Sequence, residues 1–463
     1  MLLLVCIPAG FAQAETPRNA TIPRIDSWVK AHEQQNRRAE IGVCVVDLAT
    51  GRTLYEHKAA QAFKPASNQK LLTTAFALAR LGKDFKFTTA VVQLGDDLVL
   101  TGDCDPTLGD PRLAAQQKRS IYHDLDRWAA RVRNLAGPTV AGDLLLRTQV
   151  QPDAYHNPDW SAWDRTTQYG APVADLNFHN NCYDVTFTRH ATGRIVPVVA
   201  PASAFIDVRE QLRMGKRQNW QLQAEPNESA VLVKGEVRSA SRDAISAPCS
   251  NPPMLLGRVF RDRLKRAGVT VAGQVRTVAD DEIDLSGATI LAGTQTPLAT
   301  AITRANKRSL NSAAECLLLR AGDGTWAGSR KRMAATLRKE FGFGETLVVR
   351  DGSGLSHRNR TCPADVVKLL TTMAGQDDFA VFLASLPVSG TDGTLRKRLG
   401  SGIARGRIAA KTGFISGASS LSGYVLDSDG EPKLAFSILA NGHLRGASSL
   451  ANRIAAVWVT AAE

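Results

Sequence analysis

A Ser-x-x-Lys tetrad at the head of an apolar helical run, a Ser-x-Asn 242 residues later and a Lys-Thr-Gly near the C-terminus constrain this chain more than any other feature. The three are Ser67-Asn68-Gln69-Lys70, Ser309-Leu310-Asn311 and Lys411-Thr412-Gly413. Each alone occurs by chance, with the serine an ordinary helix cap and the lysine in solvent. Their order and surroundings restrict the fold. Pro65-Ala66-Ser67 leads into Leu71 to Leu81, an alanine- and leucine-rich run that stops at Gly82. A helix therefore starts at or near Ser67 and ends on a glycine cap. Lys411 lies inside the strand signal Arg407 to Gly413, which Ser420 to Leu426 and Lys433 to Ala440 follow, with Asp427-Ser428-Asp429-Gly430 as a turn between the last two. This pattern predicts an antiparallel meander, covered on one face by a final apolar helix at about Ala447 to Ala461. Near the N-terminus, a helix at Ile25 to Gln35 precedes a hairpin of Gly42 to Leu48 and Arg52 to His57. From Phe85 to Asp284 the texture changes to short strand-like runs broken by loops, which marks an insertion.

The motif residues suit acyl transfer. Side chains three apart share one helix face, so Ser67 and Lys70 can hydrogen-bond. A serine hydroxyl is a weak nucleophile until a base takes its proton, and a lysine is that base only when burial or a neighbouring cation lowers its pKa. Lys411 is the candidate second cation. The helix N-terminus near Ser67 favours a developing oxyanion. Ser309 and Asn311, at the start of a helix running to Arg320, offer a hydroxyl to relay protons and an amide to hold substrate. Lys411 and Thr412 offer an ammonium and a hydroxyl to a terminal carboxylate, and Gly413 lets an extended peptide approach the backbone. Ser67, Lys70 and Ser309 are thus the expected catalytic residues, and Asn311, Lys411, Thr412 and Gly413 the expected substrate-binding ones.

Together the motifs match the active-site signature of penicillin-binding proteins and serine β-lactamases. The gap between Ser67 and Ser309 resembles the class C low-molecular-mass penicillin-binding proteins, the D-alanyl-D-alanine carboxypeptidase/endopeptidase family. The segments Gly102-Asp103-Cys104-Asp105-Pro106-Thr107-Leu108, Asp351-Gly352-Ser353-Gly354-Leu355-Ser356 and Pro387 to Arg396 look like the same family. The resemblance implies an α/β (α+β) fold, with a β-lactamase/transpeptidase-like catalytic domain (antiparallel sheet flanked by helices) at 24–84 and 289–463. Two nested, β-rich inserted domains would occupy 85–165 with 236–288, and 166–235. It implies an acyl-enzyme on Ser67, an oxyanion hole of the Ser67 and Phe414 backbone N–H groups, and no metal or organic cofactor. Phe414 stands where relatives often carry a small hydroxylated residue. The Asp-Gly-Ser-Gly and Ser-Gly-Thr-Asp-Gly-Thr stretches read first as loops bordering the cleft. Trp160, Trp163 and Tyr169 are expected in buried packing. The implied partners are peptidoglycan stem peptides and β-lactam antibiotics. Two competing readings are a β-lactamase or esterase on the same site, and a non-catalytic peptidoglycan-binding scaffold. No E-x-x-L-N lies between Ser309 and Lys411, which weighs against the first, and all three motifs are intact, which weighs against the second.

The apolar residues 1–14 end in Ala12-Gln13-Ala14, a signal-peptide pattern that predicts a secreted, periplasmic protein. The run is shorter than the ~20 residues of a spanning helix. Lysine and arginine outnumber aspartate and glutamate by 57 to 44, but without a basic cluster. Such scattered charge reads first as a solvated basic surface and second as attraction to an anionic envelope or a carboxylate-bearing substrate; no nucleic-acid partner is expected, and a homo-oligomer is left open. His32-Glu33 lacks the second histidine of H-E-x-x-H, and no nucleotide-binding G-x-x-x-x-G-K-[ST] is present. Besides Cys6 there are six cysteines, Cys44, Cys104, Cys182, Cys249, Cys316 and Cys362, none in a C-x-x-C. Their spacing does not choose between disulfides and buried thiols.

Overall fold

The computed structural model describes residues 17–461, so the leader expected at 1–14 lies outside the described residues. Among the described residues, no helix is long and apolar enough to cross a membrane.

The N-terminal hairpin forms as strands Glu40–Asp47 and Thr53–His57. Asp47 builds the turn between them, its carboxylate accepting from the backbone N–H groups of Ala49 (3.1 Å) and Thr50 (3.0 Å). The C-terminal meander forms as Ile408–Ile415, Ala418–Leu426 and Pro432–Asn441. Pro432–Asn441 pairs antiparallel with Glu40–Asp47, which joins both ends of the chain into one five-stranded sheet with Ile408–Ile415 at one edge and Thr53–His57 at the other.

Strand side chains alternate between faces, and here both faces are apolar. Val43, Val45, Ile408, Phe436 and Ile438 point to a layer made by helices Pro17–Gln35 and Ala447–Val457. Cys44, Ala409 and Tyr424 point the other way, onto a helical layer that includes Leu71, Phe76, Leu317, Met333 and Leu370. The sheet is therefore the middle of three layers. The first helix starts earlier than the apolar signal at Ile25, and Ile22 ahead of that signal is exposed.

The inserted part holds a second five-stranded sheet, in the order Val275–Ala279, Leu144–Thr148, Asp97–Gly102, Lys86–Leu94, Thr289–Pro297. The last of these differs from the sequence expectation. Thr289–Pro297, assigned above to the catalytic domain, pairs antiparallel with Lys86–Leu94, so the inserted sheet runs to Pro297. Lys86 and Pro297 are register partners, which sets the entering and leaving chains side by side. Strands Ala230–Val237 and Ser241–Pro248 likewise belong with the nested segment, pairing with Asp207–Met214 and Cys182–Arg189 rather than with the outer sheet. One apolar cluster, including Trp128, Val185, Val231 and Phe260, runs through the inserted sheet, the nested strands and helices His123–Leu135 and Pro252–Arg266. The nested strands are packed on their host rather than tethered to it.

Candidate active site

Ser67 lies in a single 3-10 turn, Ala66–Asn68, that feeds directly into helix Gln69–Leu81. Ala66 is left-handed (φ 49°), a conformation unusual for a residue with a β-carbon, and it makes the elbow that presents Ser67. One turn on, Lys70 is inaccessible to solvent. Its ammonium donates to Ser67 Oγ at 3.2 Å, to Asn311 Oδ1 at 2.7 Å and to the Ser353 carbonyl at 2.7 Å. All three donors are thus engaged, and one points at the serine hydroxyl.

The pattern that predicts a helix from Ser309 is displaced by two residues. The helix is Asn311–Ala321, and Ser309 sits before it in a left-handed turn (φ 57°). That turn brings the Ser309 hydroxyl to within 3.0 Å of Lys411 Nζ, which also donates to the Thr412 carbonyl at 2.6 Å. Asn311 accepts from Lys70 while its Nδ2 donates to the Tyr169 carbonyl at 2.9 Å. Its amide, expected to hold substrate, here holds Lys70 and the inserted segment together.

Two buried bonds fasten the sheet to the Ser67 turn: Asn68 Nδ2 to the Lys411 carbonyl on the edge strand Ile408–Ile415 (2.9 Å), and Ser420 Oγ, on the next strand, to the Pro65 carbonyl (2.7 Å). The two segments meet at Gly413, where a β-carbon would stand 2.8 Å from the Ser67 nitrogen. Ile408 and Ala410 send their N–H groups away from the sheet, to Ser389 Oγ (3.1 Å) and the Pro387 carbonyl (2.9 Å). Strand alternation puts the N–H of Phe414 on that same open edge. Thr412 hydrogen-bonds Thr394 at 2.8 Å, and the Phe414 side chain is 70 % exposed. A cleft of ≈ 1070 Å³ is lined by Ser67, Ser309, Asn311, Thr412, Gly413 and Phe414. Lys70 and Lys411 are both fully buried and are tied to that lining by their bonds to Ser67 and Ser309.

A model of the D-Ala-D-Ala carboxypeptidase 3 (S13) family matches residues 25–463. The chain belongs to this family. It is 34% identical over 433 residues to the D-alanyl-D-alanine carboxypeptidase of Actinomadura sp. (strain R39), covering 87% of this chain and 78% of that relative. The crystal structure of penicillin binding protein 4 from Haemophilus influenzae superposes with a TM-score of 0.76 at 21% identity, over 94% of this chain and 99% of that one. A predatory endopeptidase of Bdellovibrio bacteriovorus, in complex with an immunity protein, gives 0.51 at 15% identity, over 91% and 92%. The S13 chain is therefore a serine-type hydrolase of the D-Ala-D-Ala carboxypeptidase family, with the α+β fold expected.

Burial sets the electrostatics of this S13 site. It pulls Lys70 down from the ordinary lysine range to about 7, against the opposing pull of Glu315 and Asp351. Lys411 is also lowered, first by burial and then by repulsion from Lys70. Of the two causes the sequence argument names for lowering Lys70, burial and a nearby cation, burial carries the effect.

Two features of the site escape the motif reading. Glu315 is wholly buried on the Asn311–Ala321 helix and accepts from the N–H groups of Gly352 (2.9 Å) and Ser353 (2.8 Å). These bonds hold Ser353, whose carbonyl receives Lys70, from its N–H side. Burial, with Asp351 second, pushes the Glu315 carboxyl up to about 8. Asp351 in turn accepts from Trp160 Nε1 (3.0 Å) and the N–H groups of Gly354 (2.8 Å) and Ser356 (2.6 Å). The Asp-Gly-Ser-Gly stretch is a loop, as expected, but one that supplies an acceptor to Lys70. The available signal was a lone glutamate inside Ala313 to Leu319, since a buried carboxylate must find donors. Trp160 is buried as expected, whereas Trp163 and Tyr169 are exposed and line the cleft, against the packing expectation.

Proposed function

We propose that Ser67 is the nucleophile of a D-Ala-D-Ala carboxypeptidase that also cleaves D,D cross-links in peptidoglycan peptides. The observation that carries this reading is Lys70, a buried amine 3.2 Å from Ser67 Oγ whose pKa is brought to about 7. Such an amine is neutral for a sizeable fraction of the time near neutral pH, and the neutral form takes the serine proton as Oγ attacks the carbonyl preceding the last D-alanine. The Ser67 and Phe414 N–H groups receive the oxyanion. Lys411 and Thr412 receive the terminal carboxylate, and Ser309, bonded to Lys411, relays a proton to the departing amine. Water then attacks the ester and returns Ser67. A cross-link cut in the endopeptidase reaction has the same D,D stereochemistry, so one site serves both substrates.

A β-lactam acylates the same serine in this reading. The Haemophilus influenzae relative has been solved in complex with a β-lactam, which supports it. We further propose that residues 1–14 direct export to the periplasm, where the basic surface favours the envelope. The test is fluorescent penicillin with the purified protein, followed by peptide mass spectrometry. A long-lived adduct on Ser67, absent from a folded Ser67→Ala variant, is expected. Labelling elsewhere, or none, overturns the assignment; rapid release would make the chain a β-lactamase.

A further inference from the structure

Cys104 follows strand Asp97–Gly102 of the inserted sheet, and Cys316 lies in the helix that begins at Asn311. They belong to different parts of the molecule, yet they meet. Both are buried, at 4% and 0% exposure, within one apolar cluster. Asn177 Nδ2 donates to Cys316 Sγ at 3.6 Å and to the Asp105 carbonyl at 3.3 Å, which draws Cys316 against the chain beside Cys104. Burial first, and then its interaction with Cys104, push the Cys316 thiol well above its ordinary range.

The backbone gives an independent observation. Cys104 is left-handed (φ 75°), a conformation that glycine adopts freely and a residue with a β-carbon adopts under strain. A strained side chain at a joint between two units asks for a use. Cys104 also borders a cavity of ≈ 330 Å³ together with Asp103 and Arg320, whereas Cys316 is wholly covered.

We propose that Cys104 and Cys316 form a disulfide that locks the inserted part onto the Asn311–Ala321 helix when the chain meets a disulfide oxidant such as glutathione disulfide. Cys104 loses its proton and attacks one sulfur of glutathione disulfide, releasing one glutathione, which takes up the proton. Cys316 then loses its proton and displaces the second glutathione. Two protein thiols are oxidised by two electrons, and one glutathione disulfide becomes two glutathione molecules. The bond spans the same joint as the Asn311 to Tyr169 hydrogen bond, and so fastens the helix that carries Asn311 to the inserted segment. This proposal is independent of the catalytic reading and stands or falls separately from it.

The test uses the full mature chain, collected from an oxidising compartment of an expression host and, in parallel, equilibrated with glutathione disulfide at mildly alkaline pH. After alkylation of free thiols and non-reducing proteolysis, mass spectrometry is expected to find a Cys104–Cys316 linked peptide pair, split by reductant. The oxidised protein should melt at a higher temperature than the reduced one. Cys104→Gly suits the left-handed backbone, and is expected to fold and to melt identically in both buffers. Recovery of both cysteines alkylated from both preparations, a link from Cys104 to another cysteine, or a redox-dependent melt that persists in Cys104→Gly would overturn the proposal.

Discussion

Gly413 and Ser67 touch so closely that a β-carbon on Gly413 would lie 2.8 Å from the Ser67 nitrogen, and 2.2 Å from Ser420 Oγ. The edge strand can lie along the nucleophile only because this position has no side chain. Gly413→Ala is therefore expected to displace the strand and spoil the oxyanion donors. The rate of acylation by fluorescent penicillin should fall by about 100-fold or more, the usual cost of one misplaced donor. Acylation at the wild-type rate by a folded Gly413→Ala protein would contradict this.

Lys70, as the proposed base, should set the pH dependence of acylation. Its folded pKa is brought to about 7 by burial, and only the neutral amine can take the Ser67 proton. Raising the pH through that value increases the competent fraction, so the rate should climb about tenfold per unit below it and level off above. Stopped-flow acylation from pH 5.5 to 9 measures the profile. A flat or falling curve over that range would remove Lys70 as the base.

Glu315 should appear in stability rather than in labelling alone. Its folded pKa stands at about 8 against an ordinary 4.5. Between those values the unfolded chain has lost a proton that the folded chain keeps, so stability falls as pH rises through this window. Glu315→Gln removes that slope. It also turns an amide donor toward the N–H of Gly352 or Ser353, which costs about 1–3 kcal/mol. The variant should melt well below wild type at pH 5, and the gap should narrow by pH 8. A constant gap would mean that Glu315 does not titrate in this window.

The three motifs were legible because each couples a side chain to a local backbone device: a helix start at Ser67, a helix read from Ser309 that in fact starts at Asn311, and a strand at Lys411. What holds them was not legible. The bond from Lys70 to the Ser353 carbonyl involves no side chain on the accepting residue, and the Glu315 carboxylate looks like a defect in an apolar helix until the loop that satisfies it is seen. The strand Thr289–Pro297 reads correctly as extended chain, but its sheet is decided by register with Lys86–Leu94, some two hundred residues earlier. Trp163 and Tyr169 carry an apolar signal that fits a core as well as a cleft wall, and only the placement of the inserted segment decides.

Phe414 separates what the backbone does from what the side chain does. Its ring is 70 % exposed, so Phe414→Ser should change stability by no more than about 0.5 kcal/mol. The N–H is untouched, and penicillin acylation should stay within a few-fold of wild type. Phe414→Pro removes that N–H. The group lies on the open edge, as those of Ile408 and Ala410 do, so no ladder bond is lost and proline is tolerated there. This variant should fold and yet lose about 100- to 1,000-fold in acylation rate, the cost of deleting one oxyanion donor. Comparing the two variants by acylation rate and thermal melting isolates the donor. Equal rates in Phe414→Ser and a folded Phe414→Pro would show that the oxyanion is stabilised elsewhere.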